Sequence, residues 1–552
     1  MPDISRSASS PGTTPGKLAA ERAAAVPAAP AAPDGSAHAA APTTAAAPSG
    51  PSHAAASATA AASGAASAEA ALPVIPTGRA MWAMMALMLG SNLLASFNQS
   101  LMNIALDATA TQFHISLSQA NWLVLGFTIV AATVITMAAS LLKRFGIRKV
   151  MMFGYTASLA GSVLGMLAWN FPAMLAARLI QALTVGLFFP VVTSVILTLA
   201  PKGKSATMLA INSGAIGVGL AFAPLLSGLV LTYLGLRALF AIPLVMSAIL
   251  LGLGFFFLHD IYAREDRPID IASVVLSFAG LSAFIFGLNE VTRTVLPSVL
   301  CMAAGAVGLG LFAWRQFAIA HPLLNLAPLR HGRFVFGETL MMLGYMGSIY
   351  MSLLVPLYLE GTAGCTAFAA GGLLCAPILC YAGACFLGGR IEDKHGVWPL
   401  VPLGFFVLLG GYVAMEFASA RMLVIPMMAC AGAAYIGVGL VFPTLKAADL
   451  ASLPRAIYAH GSSIHSTLVQ IAGSVGSALF VGIMSADTDR LMAQGIAKAH
   501  AYASGFSHTL LIAIGILAVA FVGAVVFGRL ARRQRQKGIK SQSKSAATAP
   551  KA

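Results

Sequence analysis

Charge is what this sequence has least of. Only 18 of its 552 residues are Asp or Glu, and 9% are charged at all, against about 25% in a soluble globular domain. With 58% hydrophobic residues and a mean hydropathy of +0.84, that scarcity excludes an ordinary soluble fold. Cysteine is sparse too. Cys301, Cys365, Cys375, Cys380, Cys385 and Cys430 form no CxxC pair and no metal-ligand spacing. Cys375, Cys380 and Cys385 step by five, about 140° each time on a helix, so they share no face. No GxxxxGK[ST] loop is present to hold a nucleotide, and no Ser/His/Asp set lies near an apolar run. His460 and His465 are five apart, off one face, and make neither a metal pair nor a general base. A membrane enzyme or sensor would need a reactive constellation or a folded soluble domain, and neither is found. No cofactor or metal is expected.

What the sequence has is apolar runs of about twenty residues, each long enough to cross a hydrocarbon core of about 30 Å as a helix. They lie near Trp82–Ala105, Trp122–Leu142, Met151–Trp169, Met174–Leu199, Met208–Leu231, Leu236–Leu258 and Ile271–Leu288. Seven more follow near Leu296–Phe317, Phe336–Leu357, Ala367–Leu387, Leu400–Met415, Met422–Phe442, Ile464–Met484 and Leu510–Phe527. The expected fold class is therefore an all-α polytopic membrane protein of about fourteen transmembrane helices, which puts both termini on one side. Barrel strands would alternate in shorter segments.

The basic residues choose the side. Lys143, Arg144, Arg148, Lys149, Lys202, Lys204, Arg264, Arg267, Arg330, Arg333, Arg390, Lys394, Lys446 and Arg455 fall in alternate joints with the Arg529–Lys540 tail. The opposite joints hold only Arg237, Arg293, Arg421, Arg490 and Lys498. The positive-inside rule then makes both termini cytoplasmic. The net charge of +15 is read as topology plus a lipid-facing tail. It is spread over loops without interleaved aromatics, so no nucleic-acid partner is expected. Residues 1–78, rich in Ala, Pro and Ser as in "AAAVPAAPAAPDG", read as a disordered cytoplasmic extension and not as a signal peptide.

The chain also repeats itself. "LLKRFGIRK" (141–149) and "GGRIEDKHGVW" (388–398) each set Arg and Lys around a Gly at a tight turn, and "GLFFP" (186–190) is echoed by "GLVFP" (439–443). Span 2 thus matches span 10 and span 4 matches span 12. An offset of eight is what two six-helix repeats with two extra central helices produce, and such halves are common in secondary transporters. The boundaries read as 79–260 and 333–530 for the halves, 261–332 for the extra helices with their linkers, and 531–552 for a basic cytoplasmic tail.

At these residues the chain resembles the major facilitator superfamily, and within it the fourteen-helix drug:proton antiporter branch, over about residues 80–530. "LLKRFGIRK" is similar to the signature loop after helix 2, "RLIQALTVGLFFP" (178–190) to the helix 4 motif, "SSIHSTLVQIAGSVG" (462–476) to helix 13, and "GVGLAFAPLLSG" (217–228) to a degraded helix 5 antiporter motif. The resemblance implies a secondary active transporter of a bacterial inner membrane. It would export amphipathic compounds by alternating access, with protons as counter-ion. A periplasmic adaptor protein is a candidate partner, beside the small-molecule substrate, the protons and the bilayer. The helix 1 acid of the family is Asn98 here, within "SFNQSLMNIALD" (96–107), so a carrier of organic anions or metabolites without that proton site is the alternative.

Polar residues inside apolar spans cost free energy and need a use. The expected substrate pathway is Asn98, Gln99, Asn103, Trp122, Arg178 and Gln181. Gln99 and Asn103, four apart, would share a stripe; Arg178 and Gln181, one turn apart, would share a network. For the amides and for Arg178 alike, bonds between helices compete with pathway lining. Glu338 is read as the acid inside a span, able to exchange protons if buried or else snorkelling to the interface. Asp107, about 13 Å along the first helix from Asn98 at 1.5 Å per residue, is the second proton-coupling candidate. Lys143, Arg144, Gly146, Arg148 and Lys149, with Arg390, Asp393 and Gly396, are the expected conformational loops. Gly214, Gly217, Gly219, Gly473 and Gly476 fit sliding seams or simple close packing.

Overall fold

Backbone amides that enter lipid must find their partners within the segment, and a helix does this residue by residue. The computed structural model describes residues 78–548 except 104, 263, 266, 267, 292 and 293, and all regular structure among them is helical. The expectation for the Ala/Pro-rich extension falls outside the described residues. Among the described residues, thirteen helices are long and apolar enough to cross a membrane. They are α1 (Gly78–Ser100), α2 (Trp122–Met166), α3 (Phe171–Leu199), α4 (Ser205–Leu234), α5 (Ala241–Phe257), α6 (Ile271–Glu290) and α7 (Val295–Ala318). After them come α8 (Gly332–Ala363), α9 (Ala367–His395), α10 (Val397–Ala420), α11 (Val424–Ala451), α12 (Tyr458–Ala493) and α13 (Lys498–Thr548).

The number reconciles with fourteen because α2 has 45 residues, about 68 Å at 1.5 Å each, twice what one crossing needs. It breaks at Gly146, whose φ of 80° and ψ of 166° are non-helical. The turn between α9 and α10 uses Gly396 with φ 80° and ψ −178°. The two repeat loops therefore share one backbone conformation, in a region L-residues rarely enter.

One large apolar core draws only on α8 to α13, through residues such as Tyr350, Phe405, Tyr412 and Phe506. Another draws mainly on α1 to α5, through Met88, Phe127, Tyr155 and Phe188. Between these sets α4 packs on α9 and α11, and α12 packs on α2 and α3. With the first crossing of α2 as span 2, α4 on α9 and α12 on α2 are related by the offset of eight. The helices α6 and α7 pack on each other, and α6 also contacts α2 and α12. Asp270, at the head of α6, accepts bonds of 2.8 and 2.9 Å from Arg315 of α7. Those bonds hold its carboxyl at about 2, below its ordinary value.

Two of the span ends that differ from the sequence reading bear on the site. The first helix stops at Ser100, not Ala105, and Asp107 belongs to a separate short helix, Leu106–Phe113. At the other end of the chain, α11 runs through Pro443 to Ala451. A proline inside a spanning helix is tolerated when neighbouring helices shelter the freed carbonyl. Lys446, read as a loop cation, is therefore inside a helix and 7% exposed.

Candidate functional site

A cavity of about 140 Å³ lies between the two sets of helices. From α4 it is lined by Ser213, Ile216, Gly217 and Leu220; from α8 by Met341, Tyr345, Ser348 and Ser352; from α9 by Ile378 and Tyr381. Tyr435, Phe442 and Lys446 of α11 and His465, Ser466, Val469 and Gln470 of α12 complete that side, and Gln99 of α1 and Phe189 of α3 face them. Tyr381 reaches across to the Ser213 carbonyl at 3.3 Å. The amide of Gln99 donates to Gln470 Oε1 at 3.3 Å, joining α1 to α12. Gly217 is required where it stands, since a Cβ there would overlap the Tyr381 ring. The wall thus offers aromatic faces, hydroxyls and amides, with Lys446 and His465 as its basic groups and no carboxylate in direct contact.

The carboxylate stands behind that wall. Glu338 of α8 is 1% exposed and both its oxygens lie 3.0 Å from His465 Nδ1. Its side chain is packed among α8, α11 and α12 and does not extend to the surface of the bundle. His465 is the partner sequence reasoning missed: five residues from His460 on one helix, it shows no pair of its own, and only packing of α12 on α8 brings it to the glutamate. Lys446 and Asp449, one turn apart on α11, are its neighbours. They were hidden by Pro443, which reads as a helix end.

Arg178, Gln181 and Asn98 do come together, in a different place. Arg178 is fully buried, donates to Gln181 Oε1 at 2.9 Å and to the Asn98 carbonyl at 3.1 Å, and lies 4.0 Å over the Phe127 ring. Gln181 in turn donates to Ser162 Oγ at 2.9 Å, and the Asn98 amide reaches Ser158 Oγ at 3.3 Å. This network ties α1, α2 and α3 to one another, and none of the three lines the cavity. Gln99 alone of the six expected pathway residues does. Asn103 is exposed in a turn beyond the end of α1, so the stripe it was expected to share with Gln99 does not form, because the helix that would carry it has ended. Trp122 is 41% exposed and stacks on Phe286 of α6 at 6.0 Å, away from the cavity. Asp107 lies beyond α1 and is not on its face.

The repeat loops are fastened differently. Asp393, three residues before Gly396, accepts from the backbone N–H groups of Ala206 at 3.1 Å and Thr207 at 3.0 Å, and from the Thr207 hydroxyl. A carboxylate there satisfies orphan amides at the N-terminus of α4 and meets the positive end of its dipole. The matching position before Gly146 is Lys143. It pairs instead with Glu265 at 3.8 Å, whose N–H bonds the Lys143 carbonyl at 2.9 Å. Arg148 fastens to Asp260 Oδ1 through its N–H at 2.9 Å and to the Phe255 carbonyl at 3.2 Å. Arg144 lies over Phe145 and Arg390 over Phe386, while Lys149 is exposed. Close by, the Ser462 hydroxyl of α12 bonds the Pro190 carbonyl of α3 at 2.8 Å.

Residues 88–477 match the model of the Major Facilitator Superfamily. Among curated relatives, the lincomycin resistance protein LmrB of Bacillus subtilis (strain 168) is 28% identical over 474 residues, covering 82% of this chain and 96% of its own. The riboflavin transporter RibZ of Clostridioides difficile (strain 630) is 21% identical, covering 72% of this chain and 87% of its own. Among solved structures, the human organic anion transporter MFSD10 (TETRAN) superposes with a TM-score of 0.53 at 13% identity, over 79% of this chain and 99% of that one. That likeness concerns the fold.

Proposed function

The chain belongs to the Major Facilitator Superfamily, and on that premise we propose that it exports amphipathic small molecules from a bacterial cytoplasm by alternating access, in exchange for protons. It is an integral membrane transporter and not an enzyme. The observation that carries this reading is the juxtaposition of an aromatic, hydroxyl-lined cavity between the two helix sets with buried Glu338, which pairs with His465 of the cavity wall. Tyr345, Tyr381 and Tyr435 give flat apolar faces to a substrate ring, Ser348 and Ser352 give adaptable hydrogen bonds, and such walls bind by shape and burial more than by one strong contact. The names of the relatives, a lincomycin resistance protein and a riboflavin transporter, support amphipathic small molecules as the substrate class.

Protons enter the argument through Glu338. Each proton taken up by the pair raises its charge by one, close to a cavity of low polarity where a unit charge is felt strongly. Substrate binding and proton binding are thus coupled without touching. The loops at the basic end, cytoplasmic by the positive-inside rule, carry Asp393 on the N-terminus of α4, a contact that must open for substrate to enter from that side.

A second reading, carriage of organic anions, is favoured by Lys446 on the cavity wall, whose lining holds no Asp or Glu among the described residues. The test is flux in inverted membrane vesicles carrying the full chain, with labelled lincomycin and fluorescent riboflavin as probes. Export predicts accumulation when the vesicle interior is acidified, and Glu338→Gln removes that drive while leaving probe-for-probe exchange. Flux indifferent to the proton gradient would overturn proton coupling. A strong preference for carboxylated aromatic probes would favour the second reading.

A further inference from the structure

We propose that Asp449 is a second proton-binding site, placed so that protons pass between the Glu338–His465 pair and the basic end of the bundle through its carboxyl group. The proposal takes its use of the proton from the exchange reading above, but the site itself stands on geometry. Asp449 of α11 is fully buried, and neither of its carboxylate oxygens has a hydrogen-bond partner. The carboxylate rests against Gly337 of α8, where a Cβ would overlap it, and Gly337 is the residue before Glu338. Two acids from different helices therefore share the α8–α11 contact and act on each other electrostatically, Asp449 lying one turn along α11 from Lys446 on the cavity wall.

The charged groups facing Asp449 come from three sides. Glu338 and Arg333 belong to α8 and Glu392 to α9, while Lys446 lies on its own helix. From α12, His465 reaches it only through Glu338. The helix α4 carries no Asp, Glu, Lys, Arg or His, and α10 carries only Glu416, near its far end. A carboxylate with no bonded oxygen in such surroundings is costly, and taking up a proton removes the cost. Two adjacent carboxylates also repel, so the cluster holds a proton more readily than either group alone.

The transfer is balanced and simple. The Glu338 carboxylic acid gives its proton to the Asp449 carboxylate; Glu338 is left as a carboxylate that accepts from His465 Nδ1–H, and Asp449 becomes the neutral acid. Arg333, half-buried at the start of α8, marks the way from Asp449 to the basic end. Lys446 lies one turn before Asp449 on the same helix, between the acid and the cavity.

The experiment reads the acids directly and needs no substrate. The purified full chain in lipid nanodiscs is titrated while the infrared C=O stretch of carboxylic acids is followed. Among the bands that titrate, one should belong to Asp449 and one to Glu338; Asp449→Asn should lose the first, and Asp449→Glu should move its frequency. Glu338→Gln should lose the other and move the Asp449 midpoint to lower pH, because a neighbouring negative charge is gone. An Asp449→Asn spectrum that titrates like the native one overturns the proposal. Should that variant fail to fold, Asp449→Glu in a chain carrying carbon-13 aspartate gives the answer: no isotope-shifted titrating band is lost if the proposal is wrong. Vesicle flux that is not proton-driven would defeat the exchange reading and leave the band assignment standing, so the two failures are distinct.

Discussion

Arg178 meets a carbonyl, an amide and an aromatic ring, and among the described residues it pairs with no carboxylate. A buried guanidinium so placed organises its neighbours: without it Gln181 Oε1 and the Asn98 carbonyl lose their donor, at about 1–3 kcal/mol each. Arg178→Ala should therefore lower the thermal unfolding midpoint in detergent, and Arg178→Lys should recover part of it, since Lys lacks the planar fork. An unchanged midpoint with transport lost would move Arg178 into the pathway instead. Glu338 was legible at this scale because an acid amid "FVFGETLMMLGY" has no bland company. Its partners were not. His465 is one polar residue among Ser462, Ser463 and Ser466, and the pairing depends on helix packing that no local pattern encodes. Asn92 and Asn212, whose amides bond at 2.8 Å between α1 and α4, went unnoticed for the same reason.

Helices were legible wherever hydropathy alone decides, and misread where a proline or a turn decides. Pro443 hid the last two turns of α11, and the apolar residues that continue past Ser100, with Leu101, Met102 and Ala105 among them, hid the end of α1. The loop glycines were recognised from the repeat, and the structure gives the reason for one of them in two ways: Gly146 has a positive φ, and a Cβ there would come within 2.6 Å of Asp260 Oδ1. Gly146→Ala should cost about 1–2 kcal/mol of strain and release Arg148 from Asp260, seen as faster hydrogen exchange at the 147–150 amides. Exchange equal to the native protein would remove this role. Asp393→Asn keeps the shape of the α4 contact but weakens its charge term. A spin-label pair across α4 and α9 at the basic end should then report a larger open fraction, and an unchanged distance distribution would count against the contact as a latch.

For the molecule as a whole, the expectation with the widest reach is topology. In a chain whose six native cysteines are replaced, Gly364→Cys and Gln494→Cys should react with a membrane-impermeant thiol reagent in intact cells, while Arg144→Cys should react only after permeabilisation. Labelling of Arg144→Cys in intact cells would invert the assignment. The repeat made the architecture readable, since an offset of eight spans predicts the same contacts that α4 makes with α9 and α12 with α2. What no repeat could supply is the difference between its two copies: Asp393 holds the N-terminus of α4, whereas Lys143, in the matching place, turns to Glu265.

That difference bears on how evenly the two states of the molecule are populated. One carboxylate at a helix N-terminus is worth about 0.3–2 kcal/mol, so the share of the closed basic end contributed by Asp393 is a factor of about two to thirty in its population. A ligand reverses such a bias if it prefers the other state by the same modest factor, and no tighter affinity is needed. With a second carboxylate at Lys143 the bias would be compounded, and a weak, promiscuous ligand could no longer overcome it. A single latch keeps the equilibrium shallow enough for loosely held cargo to tip.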